Sequence, residues 1–343
     1  MNLMLLAWYH RFGATRVVGG TQGLADALLG AFESHGGRLR CAAPVQEILV
    51  DRGEACGVRL ENGETLLARQ GVLATPDPRM TLNTLLPSGS MDHRMERRAA
   101  HIAQYAVGVA PFMVHMAFSG QLTLDRFQRE RKDDADLRVS TCFLGSFEGA
   151  YAGDIDAAAG RIPKEITVLC ALPTAADPSQ APAGQDTAYV YACPMPLHPV
   201  EGWEVARPLA AQATVDRLTE YYEGIEELEL GRWPESPADL AERMRVTNGC
   251  LWHVDLSPTR MGPLRPAAGL AGYRMPVPRL YHGGGGSHPN SSVSGMPGKL
   301  AAETLLRDMR RRPSHQPSAE FQHELSGAGD DRRPVAPLAA GPR

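Results

Sequence analysis

Leu280-Tyr281-His282-Gly283-Gly284-Gly285-Gly286-Ser287-His288-Pro289 is the stretch on which the reading of the fold turns. A short apolar strand, Arg279 to His282, follows Pro278; four glycines end it, and a helix is predicted from Met296 to Met309. Working back toward the amino terminus, Gly71 to Thr75 (GVLAT) is a second buried-type strand, stopped by Pro76 and Pro78 and followed by a predicted helix at Arg79 to Leu86. Before it, Val45 to Val50, Ala55 to Leu60 and Thr65 to Ala68 alternate like strands around turn-forming Asp51-Arg52-Gly53 and Glu61-Asn62-Gly63-Glu64. They predict an antiparallel meander, preceded by a short strand at Arg38 to Cys41. Gly20 to Gly37 opens and closes on glycine and spaces Leu24, Ala27, Leu28, Ala31 and Phe32 as one helical face.

The middle of the chain is less regular. Strands are expected at Val109 to Phe118, Glu165 to Ala171 and Thr187 to Cys193, and helices at 122–131 and 205–227. Strands separated from helices favour an α+β insertion over a simply wound sheet. Beyond residue 311 the composition turns to Pro, Ser, Gly, Ala and charge without periodicity, which predicts a disordered tail over 312–343.

The 343 residues, 43% hydrophobic and 22% charged, suffice for two domains with a sizeable core. A net charge of −4 argues against a general nucleic-acid binder, which needs a strong basic footprint. The six cysteines are scattered without a CxxC pair or zinc-ligand spacing, so they read as reduced packing residues and no metal is expected. Met1 to His10 lacks the basic start and small-residue cleavage site of a secretory signal, and no apolar run approaches the length of a membrane span. A cytoplasmic protein is expected, with peripheral membrane contact left open.

Two separated stretches together resemble the superfamily of phytoene dehydrogenases, carotenoid isomerases and related FAD/NAD(P) oxidoreductases. One is Val18-Gly19-Gly20-Thr21-Gln22-Gly23-Leu24, with Gly36-Gly37-Arg38-Leu39, Val45-Gln46-Glu47-Ile48 and Gly57-Val58-Arg59-Leu60-Glu61-Asn62-Gly63 after it. The other is the glycine stretch, with Val293-Ser294-Gly295-Met296-Pro297-Gly298 and Ala301-Ala302, which is similar to that family's carboxy-terminal FAD motif. Leu251-Trp252-His253-Val254-Asp255-Leu256-Ser257 and Gly262-Pro263-Leu264-Arg265-Pro266 look like a segment of the branch containing pyridine nucleotide-disulfide oxidoreductase domain-containing protein 2.

The resemblance implies an α/β fold: a partial FAD/NAD(P)-binding Rossmann-like domain with an inserted α+β substrate domain. The expected divisions are 1–108, a partial FAD-binding domain with helix and meander; 109–272, the substrate domain; 273–311, the carboxy-terminal FAD strand-loop-helix; and the tail. The family opens on GxGxxG, whose glycines bring a helix amino terminus against the pyrophosphate. No GxGxxG occurs anywhere in this sequence, and Asn290, Ser291 and Ser292 stand where relatives carry glycines. The expectation is a carboxy-terminal portion, completed by a second chain or by upstream sequence that carries the fingerprint.

For the cofactor, FAD, the resemblance implies that Gly284, Gly285, Gly286, Ser287 and His288 pass beside the flavin. The helix beginning near Val293, Gly295 and Met296 would turn its amino end to the pyrimidine ring. Val45 would offer its backbone to the adenine, Ala74 and Thr75 would lie near the pyrophosphate, and Gly19 and Gly20 would allow close approach. The implied chemistry is flavin-dependent desaturation, dehydrogenation or isomerisation of an apolar, polyene or lipid-like substrate. His288, His253 and Arg265, together with Asp255, are the candidate polar groups near the reacting centre, and His115 is a candidate to line an apolar tunnel. Two other readings stay open: a cofactor-free protein that binds an apolar ligand, and a non-functional fragment.

Overall fold

The computed structural model describes residues 10–11, 13, 15–289, 291, 293–311 and 316–327. The apolar start at residues 1–9, as well as Asn290 and Ser292, lies outside the described residues. In chain order the strands are β1 (Val45–Asp51), β2 (Glu54–Leu60), β3 (Thr65–Leu67), β4 (Val72–Ala74), β5 (Val109–Phe118), β6 (Cys142–Leu144), β7 (Val168–Ala171), β8 (Asp186–Pro196), β9 (Glu229–Glu235) and β10 (Leu280–His282). The chain divides into two compact units, one of residues 105–243 with those before 42, the other of 42–104 and residues from 244 onward.

In the second of these units β1, β2 and β3 form the expected antiparallel meander. Asp51 pairs with Glu54 across a two-residue turn in which Arg52 (φ 47°) and Gly53 (φ 77°) are both left-handed, the turn that matches strand twist. At Gly57 a β-carbon would fall 2.4 Å from the Leu66 carbonyl oxygen, so only glycine lets β2 and β3 approach this closely. β4 and β10 pair in parallel, Leu280 with Val72 and His282 with Ala74. Ile48, Ala74, Leu82, Leu85, Ile102, Val254, Leu270, Val277 and Leu280 fill the core of this unit. The helix expected at Arg79–Leu86 is a single π turn, Met80–Thr84, followed by a helix at His93–Ala100 capped by the Asp92 side chain.

The other unit is built on an antiparallel sheet ordered β6-β7-β8-β5-β9. Phe112, Val114, Met116 and Phe118 of β5 and Val190 of β8 turn one face to the core, where Ala210, Ala211, Val215 and Leu218 of the helix Trp203–Thr219 close over it. β6, β9 and the helix Phe147–Ala158 were not expected from sequence. The helix expected at 205–227 is broken at Thr219 and resumes at Ile225–Leu228.

Several expected boundaries move. Residues 244–272, expected with 109–243, fall in the second unit, where Thr247, Val254 and Arg265 are bonded or buried. Residues before 42 group with the five-stranded unit, where the Gly19 amide donates to the Asp177 carboxylate at 2.7 Å. The predicted helix is present at Gln22–Ser34, but none of its residues is buried, and Arg38–Cys41 forms no strand. Within the expected tail, Ala319–Gly327 is helical, and Ser318 before it donates from its amide and hydroxyl to the Asp51 carboxylate. Residues 312–315 and 328–343 lie outside the described residues.

All six cysteines are free. Burial pushes the Cys250 and Cys170 thiols up to about 12 and that of Cys56 to about 11, as packing residues require. Among the described residues no cluster of ligands suits a metal ion, and no helix is long and apolar enough to cross a membrane.

Candidate functional site

The site grows from the end of β10. Leu280, Tyr281 and His282 are all buried, and the parallel ladder continues one step, the Gly283 amide donating to the Ala74 carbonyl at 2.9 Å. The chain then turns across the segment that follows β4. A β-carbon on Gly284 would meet the Thr75 carbonyl oxygen at 2.1 Å, one on Gly286 would meet the Pro78 ring at 2.4 Å, and one on Gly283 would meet the Ala301 methyl at 2.9 Å. Three of the four glycines are therefore required by the contact of two loops and a helix. Gly285 differs, since its nearest neighbours would be Ser291 at 3.4 Å and the His253 ring at 3.5 Å, ordinary contact.

His282 locks the two loops together. The Pro76 carbonyl, 2.6 Å from Nε2, only accepts, which assigns the proton to Nε2; Nδ1 then accepts from the Ser287 hydroxyl, also at 2.6 Å. The ring is fully buried, and burial lowers its pKa to about 4, so it is neutral at physiological pH.

Asp77, 1% exposed, sits in the same loop. Its carboxylate accepts from the amides of Arg79, Met80 and Thr247, from the Thr247 hydroxyl and from the Gln104 amide group at 2.8 Å. The Gln104 side chain donates in addition to the His253 carbonyl, and Asn248 donates to the Gln104 carbonyl. A buried carboxylate is tolerable only when so satisfied.

Arg265 is 0% exposed, and its guanidinium points into a ring of main-chain oxygens. It donates to Gly285 (2.9 Å), Val254 (3.1 Å), Arg260 (3.3 Å), Asp255 (3.5 Å) and Trp252. Burial lowers its pKa to about 10, which leaves it charged at neutral pH. With its donors directed at carbonyls it holds the 252–260 segment against Gly285.

His253 stands between these two anchors with its ring against Gly285. Its Nδ1 is buried without a partner, and burial lowers the ring's pKa while Asp77 opposes the shift. His288 is half-buried and also has an orphaned Nδ1; its carbonyl accepts from the Tyr273 hydroxyl. The helix Met296–Met309 follows. Gly295 caps it in the left-handed region (φ 66°) without a side-chain cap, Ser294 accepts from the Met296 amide, and Val293 is 93% exposed.

The structure thus brings Ala74, Thr75, Gly284–Ser287, His288, His253 and Arg265 into one neighbourhood of a single unit. Val45, the first residue of β1, is half-buried against that unit's core, while Gly19 and Gly20 belong to the other unit. Sequence reasoning missed Asp77, Gln104, Thr247 and His282. The Pro76-Asp77-Pro78 turn was a signal for a capping carboxylate; Gln104 carried none.

A family model described as flavin containing amine oxidoreductase matches residues 3–158. Pyridine nucleotide-disulfide oxidoreductase domain-containing protein 2 of Mus musculus is 26% identical over 307 residues, 86% of this chain and 51% of that protein. The zeta-carotene-forming phytoene desaturase of Myxococcus xanthus is 27% identical over 294 residues, 84% of this chain and 51% of its own. The chain is similar to phytoene-desaturase-like flavin oxidoreductases. The neurosporene-forming phytoene desaturase of Cereibacter sphaeroides, another relative, is 26% identical over 95% of this chain and 60% of its own length. This phytoene-desaturase-like chain spans about half the length of the first two curated relatives. An oxidoreductase structure from Methanosarcina mazei superposes with a TM-score of 0.52 at 17% identity, covering 87% of this chain and 57% of that one. That likeness identifies the fold, a Rossmann-like α/β domain with further helix and sheet.

Proposed function

We propose that this phytoene-desaturase-like chain holds the flavin end of FAD in an oxidoreductase acting on an apolar substrate. The observation that carries the reading is the Gly283–Ser287 loop: it leaves a parallel strand, is fixed by His282 and Arg265, and leads into a helix whose N-cap residue is a glycine. Such an end carries about half a positive charge and favours an electron-rich ligand edge. The residues fit a flavin there. Gly285 alone among the four glycines is not consumed by packing, and two imidazoles beside or within the loop have orphaned nitrogens.

When bound, the flavin supplies the hydride acceptor. The chain's own residues orient it: Arg265 fixes the Gly285 carbonyl, His282 and Ser287 fix the loop, and Ala74–Thr75 back it. An apolar substrate is supported by the sheet of the other unit. On the face away from its core, Phe143, Leu169, Tyr191 and Met113 lie in one row and Tyr189, His115 and Trp233 in the next, with Phe143 77% and Trp233 69% exposed. Since the sequence contains no GxGxxG, the reading assigns the pyrophosphate-binding fingerprint to a segment outside this sequence, in a second chain or joined to this one.

The test is the visible absorption spectrum of the purified protein, alone and after adding FAD and removing the excess. Retention of the oxidised-flavin band is expected; a colourless protein refutes self-sufficient flavin binding and leaves an enzyme completed by the outside segment, a cofactor-free apolar-ligand protein or a fragment.

A further inference from the structure

The His253 main chain is held from every side. Its φ of 60° lies in the left-handed region, which a non-glycine residue adopts when its surroundings impose it. The Gln104 side chain, itself anchored on Asp77, donates to the His253 carbonyl at 3.0 Å, and the His253 amide donates to the Cys250 carbonyl at 2.8 Å. Arg265 grips the carbonyls of Trp252, Val254 and Asp255 on both sides of it. The same guanidinium donates twice to the Gly285 carbonyl, through Nε and Nη2.

The ring's two nitrogens differ. Nδ1 is buried with no partner, whereas Nε2 is not among the buried unpaired atoms and faces the accessible edge of a half-buried side chain. A neutral imidazole carries one N–H. On Nδ1 that N–H would be a buried donor with no acceptor, whereas on Nε2 it reaches the open edge. Protonating both nitrogens would add a charge beside Arg265 and place the same unpaired donor inside. Asp77 is the one opposing influence, and its carboxylate is already occupied by five protein donors.

We propose that His253 presents a neutral imidazole, protonated on Nε2, as a fixed hydrogen-bond donor to a carbonyl or ring nitrogen of the flavin beside Gly285. This rests on the flavin reading of the same loop and replaces the proton-transfer role expected from sequence. Asp77, Gln104 and Arg265 are positioning residues for it.

Nitrogen-15 NMR of the labelled protein, with His253 assigned from the His253→Gln variant, reads the tautomer directly. The neutral Nε2–H form is expected at pH 7 and above, because the lowered pKa lies below the unperturbed histidine value of roughly 6.5. Added FAD is expected to move the Nε2 resonance. His253→Phe is expected to raise the FAD dissociation constant about tenfold, the loss of one hydrogen bond, and His253→Gln, which keeps an N–H, to recover most of it. An Nδ1–H tautomer or an imidazolium at pH 7 overturns the proposal. So does FAD that binds without moving Nε2 and with equal affinity for His253→Phe. Wild-type protein that binds no FAD refutes the flavin reading first, and the donor role falls with it.

Discussion

Replacing Gly284 by alanine tests whether the glycines of the loop serve packing. The new methyl would stand 2.1 Å from the Thr75 carbonyl oxygen and 2.9 Å from its carbon, so the obstacle is backbone, not a side chain that can rotate away. Neither loop is free to retreat, because His282 bonds Pro76 on one side and Ser287 on the other. Overpacking of this kind usually costs about 1–3 kcal/mol, and here the upper end, about 3 kcal/mol, is expected. That is a factor of roughly 100 in the folding equilibrium. For a unit of this size it lowers Tm by about 6–12 °C. Gly285→Ala is the control: its methyl meets neighbours at 3.4 Å and 3.5 Å and should cost under about 1 kcal/mol. Thermal unfolding followed by circular dichroism, with hydrogen exchange at 282–287 to localise the effect, distinguishes them. Equal stability of the two variants would refute the packing argument.

Arg265→Met should destabilise the protein by more than about 3 kcal/mol in urea titration, because at least five main-chain oxygens lose a donor in the interior. Arg265→Lys should recover less than half, since an ammonium cannot span the same fan of acceptors; a loss below about 1 kcal/mol for the methionine variant would contradict this account. Stability should also fall on acidification. The folded pKa of His282 is depressed to about 4 from the ordinary histidine value of about 6.5, so between these values the unfolded chain binds more protons and stability declines as pH falls through that window. The full effect is about 3 kcal/mol by pH 4, and it should vanish in His282→Asn; an unchanged pH slope in that variant would assign the acid sensitivity elsewhere.

What could be read from the sequence was local. The meander, β4 and the strand-glycine-helix segment declare themselves by alternation and by turn residues within a few positions of one another. β9 hid because Glu-Leu-Gly-Arg-Trp-Pro-Glu has neither an apolar face nor strand propensity; as an edge strand it tolerates Pro234 and Gly231. β6 is only three residues long. At the site, the glycines and His253 were visible, but the residues that fix them were not. Gln104 reaches Asp77 across 27 positions and His253 across 149, and His282 reaches Pro76 across 206. Arg265 was read as a candidate polar group near the reacting centre; that its guanidinium donates to five main-chain carbonyls follows from its burial among segments that only folding brings together. The same long-range bonds explain why 244–272 joins the unit of the glycine loop, although the division expected from sequence grouped it with 109–243.

The most direct test of the central claim is a hydrogen-exchange footprint of FAD on the purified protein. If the loop after β10 and the helix after it hold the flavin, FAD slows exchange in 283–289 and 295–299 and leaves the amides of β5 and β8 unchanged. FAD that leaves 283–299 unprotected, or protects only the five-stranded unit, contradicts the account.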